Sequence, residues 1–344
     1  MNNLVNLPGY FELLSWLEND PDKSIGYRTT DPLLDSSDIN TVSRAVKCMR
    51  DFPYSLFGFE CTLQPGVKKV DFAFSLTREM AEKVIAQGRP LPEWFGSNTS
   101  PGLERVKSFL MQWLDNRSLL YHSIYSVYLE LDASSERDAG IPGMFARLQS
   151  GNRRKEWYET MSLAVLHSAG IELTRTRREM IKHYYECFTD VAEFFHLGIM
   201  FSRDNCPFKL ASMYISAEDT VRILNMLGID IFECVNEDEW GSIVRFTSGK
   251  LGLSLDFTDK LQKRIGIEIE HSDKDEMILD WLVEKGCCSI EKRNAVLNWS
   301  GVFSHSFPDD SGREIRIKRS ISHFKLVLQP NMPIMAKVYF DYDC

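Results

Sequence analysis

The sequence predicts an α+β fold, a ten-stranded antiparallel β-barrel. It is read as one domain over residues 1–344, built from five helix–strand–strand–helix units with the helices outside. Three observations predict it. Stretches of period-two alternation, the mark of a strand, come in pairs joined by turn residues. Stretches of 3.6-residue periodicity separate the pairs. The pairs begin near residues 56, 123, 196, 250 and 322, so they recur evenly along the chain.

The first pair is "LFGFECTLQPGVKKVDFAFSLT", 56–77, with its turn at Pro65-Gly66. The second is 123–148, with a longer connection. The third is 196–216 and the fourth 250–271. The last is "SHFKLVLQPNMPIMAKVYFDYDC", 322–344, which turns at Pro-Asn-Met-Pro. Helices are expected at 9–20 and 36–52 before the first pair. They are expected at 77–88 and 100–115 before the second, and at 153–170 and 174–195 before the third. One at 216–228 leads towards the fourth, and two at 272–286 and 289–299 precede the fifth, both opened by Ser-x-x-Asp/Glu-like caps.

Hairpins that follow one another tend to lie side by side, and closing ten strands into a ring removes the exposed edges. Alternation then assigns the faces. Phe57, Phe59, Cys61, Leu63; Val70, Phe72, Phe74, Leu76; Tyr125, Val127, Leu129, Leu131; Leu253, Leu255, Phe257; and Ile265, Ile267, Ile269 form apolar faces to pack beneath helices. The opposite faces carry Glu60, Asp71, Tyr128, Glu130, Asp256, Glu268, Glu270, Lys325, Lys337 and Tyr339. A ten-stranded ring is wider than the eight-stranded size that side chains just fill, so these residues would line a solvent-filled chamber. The alternative on the same pattern is an open sheet whose polar face meets water.

Composition narrows the function. The net charge of −9 argues against a nucleic-acid binder. No apolar run approaches the roughly 18 residues of a membrane span. No basic, then apolar, leader opens the chain. Eight scattered cysteines without a CxxC pair read as reduced thiols, hence a cytoplasmic protein. No Gly-rich phosphate loop or HExxH occurs. "NWSG" at 298–301 is a helix exit rather than a nucleophile elbow. His183 and Cys187, one helical turn apart, could begin a zinc site with His196 and Cys206, but no compact second pair completes it.

Five such units in a chain of this length resemble the ABBA-type (PT-barrel) prenyltransferases, in particular the indole and cyanobactin-peptide branch. Two stretches carry the resemblance at residue level. In "FGFECTLQPGVKKVDFAFSL", Glu60 matches the glutamate of the first barrel strand. The resemblance implies that Glu60 accepts a proton or hydrogen bond from the prenyl acceptor; the other reading is a solvated strand glutamate. In "KVY", Lys337 and Tyr339 match lumen residues that bind an allylic diphosphate and shield the cation. Lys325 would face Lys337 across the hairpin, with Lys209 and Arg264 as further diphosphate ligands and Tyr214 and Tyr128 as further shields. Otherwise these lysines protect a final edge strand.

The resemblance further implies dimethylallyl or geranyl diphosphate as donor and an aromatic small molecule or a peptide as acceptor, with no nucleic acid or membrane partner. No cofactor is required. The lumen carboxylates Asp71, Glu130, Asp256, Glu268 and Glu270 would repel a diphosphate if uncompensated. They allow Mg2+ to be recruited to it, as in some bacterial members, or a cationic acceptor to be held. A non-catalytic barrel that binds a peptide or hydrophobic ligand is the second hypothesis, and an open interaction scaffold the third.

Overall fold

The strands close on themselves. The computed structural model describes Leu33 and residues 56–67, 69–86, 100–132, 142–149, 154–202, 207–306 and 314–343. The helices expected at 9–20 and 36–52 lie outside these residues. Strands β1 (Leu56–Thr62), β2 (Val70–Thr77), β3 (Ile124–Asp132), β4 (Gly143–Leu148), β5 (Phe194–Ile199), β6 (Phe208–Ser216), β7 (Lys250–Phe257) and β8 (Leu261–Glu270) pair antiparallel in chain order. β8 pairs with β10 (Glu314–Leu328), β10 with β11 (Met335–Asp343), and β11 with β1, which completes a ten-stranded ring.

An eleventh strand, β9 (Gly301–Ser306), was not expected. It pairs with Glu314–Arg319 of the unusually long β10, beyond the stretch of β10 that meets β8. Two turns follow directly from their residues. Gly66 takes φ 71° after Pro65, and the Val67 N–H reaches the Gln64 carbonyl at 3.3 Å. At the last hairpin Asn331 takes φ 58°.

The expected apolar faces are buried. Phe59, Cys61, Leu63, Val70, Phe72, Phe74, Leu76, Leu253, Leu255, Phe257, Ile265, Ile267 and Ile269 belong to one continuous core with the helices. Phe57's side chain lies outside what is described. Tyr125 corrects the pattern. The pairing of β3 with β4 shifts between Ile124 and Ser126, so Ile124 enters the core and Tyr125 stands 57% exposed.

The outer layer holds α1 (Arg78–Ala86), α2 (Pro101–Leu114), α3 (Leu119–Ser123), α4 (Lys155–Ser168), α5 (Arg175–Phe188), α6 (Ala217–Met226), α7 (Glu237–Phe246), α8 (Asp275–Glu284) and α9 (Ile290–Leu297). Helix α2 shows why they sit where they do. Ser100 caps it, Pro101 fits its first turn, and Leu103, Val106, Phe109, Leu110 and Trp113 share one buried stripe. Helix α5 stops at Phe188, so Phe194 and Phe195, expected at its end, start β5 instead. Helix α7 was not expected; Asn236 and Glu239 form its capping box. The expected cap of α8 is half formed. Ser272 donates its N–H to Asp275 Oδ1 at 2.9 Å, but no side chain caps the helix, whereas Ser289 does cap α9. From α9, the buried Lys292 donates its ammonium to the carbonyls of Thr62, Gln64 and Val67, which ties the β1–β2 turn to the helix layer.

Candidate active site

Alternation inside a closed ring sends every second side chain inward. The ring encloses a cavity of about 380 Å3, a volume suited to a small organic ligand. Of the residues singled out from sequence, Glu60, Tyr128, Glu130, Lys209, Tyr214, Arg264, Glu268, Glu270, Lys325, Lys337 and Tyr339 line it. Asp71 and Asp256 are not part of its lining. Asp71 is buried opposite Glu60 in the β1–β2 register, with Lys69 at 3.8 Å. Asp256 sits beneath Lys209 and Arg264.

The charges are paired. Lys337 donates to one oxygen of Glu60, and the Tyr339 hydroxyl donates to the other. Lys325 lies opposite Lys337 in the β10–β11 register and donates to Glu268 at 2.7 Å. Lys209 and Arg264 meet Asp256 at 3.1 and 2.7 Å. The carboxylates expected to stand uncompensated are therefore mostly neutralised by the very cations expected to bind a diphosphate.

Electrostatics follow from burial and pairing. Burial alone would push Glu60 up; Lys337, Tyr339 and the field of Lys325 outweigh it and hold Glu60 well below the usual carboxylate range. In the same way burial opposes, and Lys325 and His323 prevail over it, to bring Glu268 down to about 2. Burial, with Lys325 nearby, lowers Lys209 to about 8 despite Asp256. Tyr339 is pushed up, by burial first and then by Glu60.

Aromatic side chains line the lumen beside these charges. Tyr128 stacks on His196 at 5.7 Å, His196 lies 5.4 Å from Phe194, and Phe194 meets Tyr214 edge-on at 5.4 Å. The Arg147 guanidinium lies over Phe194 at 4.2 Å. Burial lowers His196 to about 4, so the imidazole is neutral at ordinary pH, and its Nε2 has no hydrogen-bond partner among the described residues. His323 stacks on Tyr339 at 4.1 Å. Tyr214 reaches the lumen through a bulge: it takes φ 63°, and the β6–β7 register shifts between Ser212 and Ile215. Met213 and Tyr214 thus both face the cavity, while Ser212 turns outward to the Tyr184 hydroxyl.

Arg147, His196, His323, Phe145 and Phe194 were not assigned to the site from sequence. The signal was present in "GMFARL", where Met144, Ala146 and Leu148 are buried and Phe145 and Arg147 alternate with them into the lumen. His196 was weighed only as a partner of His183 and Cys187. Among the described residues those two are not in any cluster with metal-ligand spacing.

Glu60, Asp71 and Glu130 do bring one oxygen each within 4.8 Å of one another. A divalent ion there would have to displace Lys337 and Tyr339 from Glu60 and sit beside the Lys337 ammonium. This donor set does not fit a resident Mg2+. Five described cysteines, Cys61, Cys187, Cys234, Cys287 and Cys288, are free thiols. Among the described residues no helix is long and apolar enough to cross a membrane.

No known family profile matches the sequence, and no curated protein matches it. Solved structures do share the architecture. A binary complex of PriB with product diphosphate aligns at TM-score 0.52, with 12% identity, over 96% of this chain and 95% of that one. The apo form of the prenyltransferase PriB aligns at 0.51 with 11% identity, and its ternary complex with L-tryptophan and dimethylallyl thiolodiphosphate at 0.50 with 10%, over the same shares. At such identities the likeness is one of fold: this chain carries the barrel of the ABBA-type prenyltransferases that its five repeated units resemble.

Proposed function

We propose that the protein transfers an isoprenoid group from an allylic diphosphate, dimethylallyl or geranyl, to an aromatic or peptide acceptor. One observation carries the reading. The cavity lining combines the cations Lys325, Lys337, Lys209 and Arg264 with the rings of Tyr128, Phe145, Phe194 and His196. A ligand with an anionic head and an unsaturated hydrocarbon tail matches both. PriB, which shares the fold, has been seen with diphosphate and with a dimethylallyl analogue beside L-tryptophan.

In this reading the diphosphate settles against Lys325 and Lys337, with Lys209 and Arg264 completing the cradle. Each ammonium has three N–H donors, so the diphosphate takes those that Glu60 and Glu268 leave free. Cationic donors then stabilise the leaving group as its charge grows. Tyr339, Tyr214 and Tyr128 flank the allylic cation with ring faces that attract it and add no strong nucleophile. A neutral His196 adds no second positive charge to the Arg147 guanidinium that already lies over Phe194. Glu60 holds Lys337 and Tyr339 in register. The test is incubation with both diphosphates plus indoles, phenols and peptides, read by mass spectrometry. Product gains one prenyl unit, and Lys325→Met/Lys337→Met loses it.

The pairing of Lys209, Lys325 and Lys337 with carboxylates favours one other reading, a non-catalytic barrel for a peptide or hydrophobic ligand. Thermal stabilisation by a cationic peptide, with none from an allylic diphosphate, would select it.

A further inference from the structure

We propose that Glu130, rather than Glu60, docks the acceptor through an N–H or O–H group and receives the proton that the reaction releases; this rests on the prenyl-transfer reading. The lumen carboxylates are otherwise spoken for. Both oxygens of Glu60 are engaged, Glu268 holds Lys325, Asp256 holds Lys209 and Arg264, and Glu270 accepts from the Tyr214 hydroxyl. Asp341 accepts from Ser322. Glu130 lines the cavity yet has no hydrogen bond or ion pair among the described residues.

Oxygens of Glu60 and Asp71 lie within 4.8 Å of a Glu130 oxygen, and an ionised carboxylate has no proton to donate. In the strand register Glu130 lies between Ala73 on β2 and Gly143 on β4, a methyl group and no side chain at all. A half-buried carboxylate without a donor carries part of the desolvation cost, and a ligand that brings the donor removes it. Tyr128 is two residues along the same strand and faces the same lumen. A ring laid on the Tyr128–His196 wall therefore has Glu130 at its edge.

Base strength points the same way. The groups that act on Glu130 are Glu60 on β1, Lys337 on β11, Lys209 on β6 and Lys325 on β10, with Asp71 on β2 close by. Burial and then the Glu60 charge outweigh the lysines and raise Glu130 above the usual carboxylate range. Glu60 is shifted the opposite way and is the weaker base. The bond from prenyl C1 to the diphosphate oxygen breaks, and its electron pair leaves with the diphosphate. The acceptor's docked nitrogen or oxygen forms the new bond to C1. The proton on the attacked atom passes to a Glu130 oxygen, and its bonding pair returns to the acceptor.

The experiment compares wild type, Glu130→Gln, Glu130→Asp and Glu60→Gln on one acceptor, with kcat, KM and a pH–rate profile. Gln can still accept the acceptor's hydrogen bond but cannot take its proton. Glu130→Gln should lower kcat by about 100-fold or more, with acceptor KM changed less than about threefold, and should abolish the acid limb of the profile. Glu130→Asp, which keeps a carboxylate and guards against a folding defect, should recover part of kcat and the limb; Glu60→Gln should keep the limb. A Glu130→Gln enzyme with wild-type kcat and an unchanged limb overturns the assignment alone. A wild-type protein that transfers no prenyl group to any acceptor overturns the prenyl-transfer reading and this assignment with it.

Discussion

A single imidazole ties the chemistry of the lumen to the stability of the fold. His196 is stacked between Tyr128 and Phe194 and faces the fields of Glu268, Arg147, His323 and Lys325. Burial lowers it from the ordinary 6.5 to about 4. Between those values the unfolded chain binds a proton that the native chain refuses. Stability is therefore intact above pH 6.5 and falls as pH drops towards 4, by up to about 1.4 kcal/mol per pH unit for each such group. His323, also lowered by burial, adds to the slope. Glu268, down at about 2, acts in a lower window, below its ordinary 4.5. Urea midpoints measured from pH 7 to 5 should decline, and His196→Asn should decline less steeply. Parallel declines would mean that His196 is protonated in the native barrel, which would also remove it from the neutral wall assigned to the cation.

At the level of elements, glycine notches decide how lysines lie. A Cβ on Gly266 of β8 would sit 2.2 Å from Ser254 Oγ and 2.8 Å from Lys325 Cε, so the lysine stem crosses the strand where no side chain stands. Gly266→Ala should push Lys325 out of the cradle. It should weaken a non-hydrolysable allylic diphosphate analogue about tenfold, or 1.4 kcal/mol, in calorimetry while circular dichroism stays unchanged. Combined with Lys325→Met it should add little, because both remove one contact. Full additivity would place Lys325 away from the diphosphate.

The same scale shows what the sequence could and could not disclose. Phe324, Leu326, Leu328, Ala336, Val338 and Phe340 alternate cleanly and are buried as that alternation requires. Tyr125 follows the alternation on paper, but the bulge beside it exposes it. The run Val191–Phe195 continues the apolar character of α5, which hid the start of β5 and with it the lumen position of His196. Phe145 hid Arg147, since an aromatic residue on an inner face spoils the polar–apolar contrast. The pairing of each lysine with its carboxylate was beyond reach, because it depends on cross-strand register rather than on residue type.

At the scale of the whole molecule, the site exists only because the ring closes. Glu60 meets Lys337 and Tyr339 across 277 and 279 residues of chain, and it does so at the β11–β1 seam. Strand β11 also pairs with β10, so it supplies both the seam and the lumen side chains of Lys337, Tyr339 and Asp341. Deleting residues 335–344 should leave β1 and β10 with unpaired edges above an uncovered apolar face, the arrangement that invites strand-to-strand association. Size-exclusion chromatography should show oligomers, and the allylic diphosphate analogue should no longer raise the melting temperature. Full-length Lys337→Met/Tyr339→Phe separates the two contributions: it should elute as wild type does, since backbone pairing is kept, yet lose most of the ligand-induced shift. A truncated chain that elutes no larger than wild type and retains that shift would show that ligand binding needs neither the closed ring nor the last strand, and the cradle of Lys325 and Lys337 would have to be abandoned.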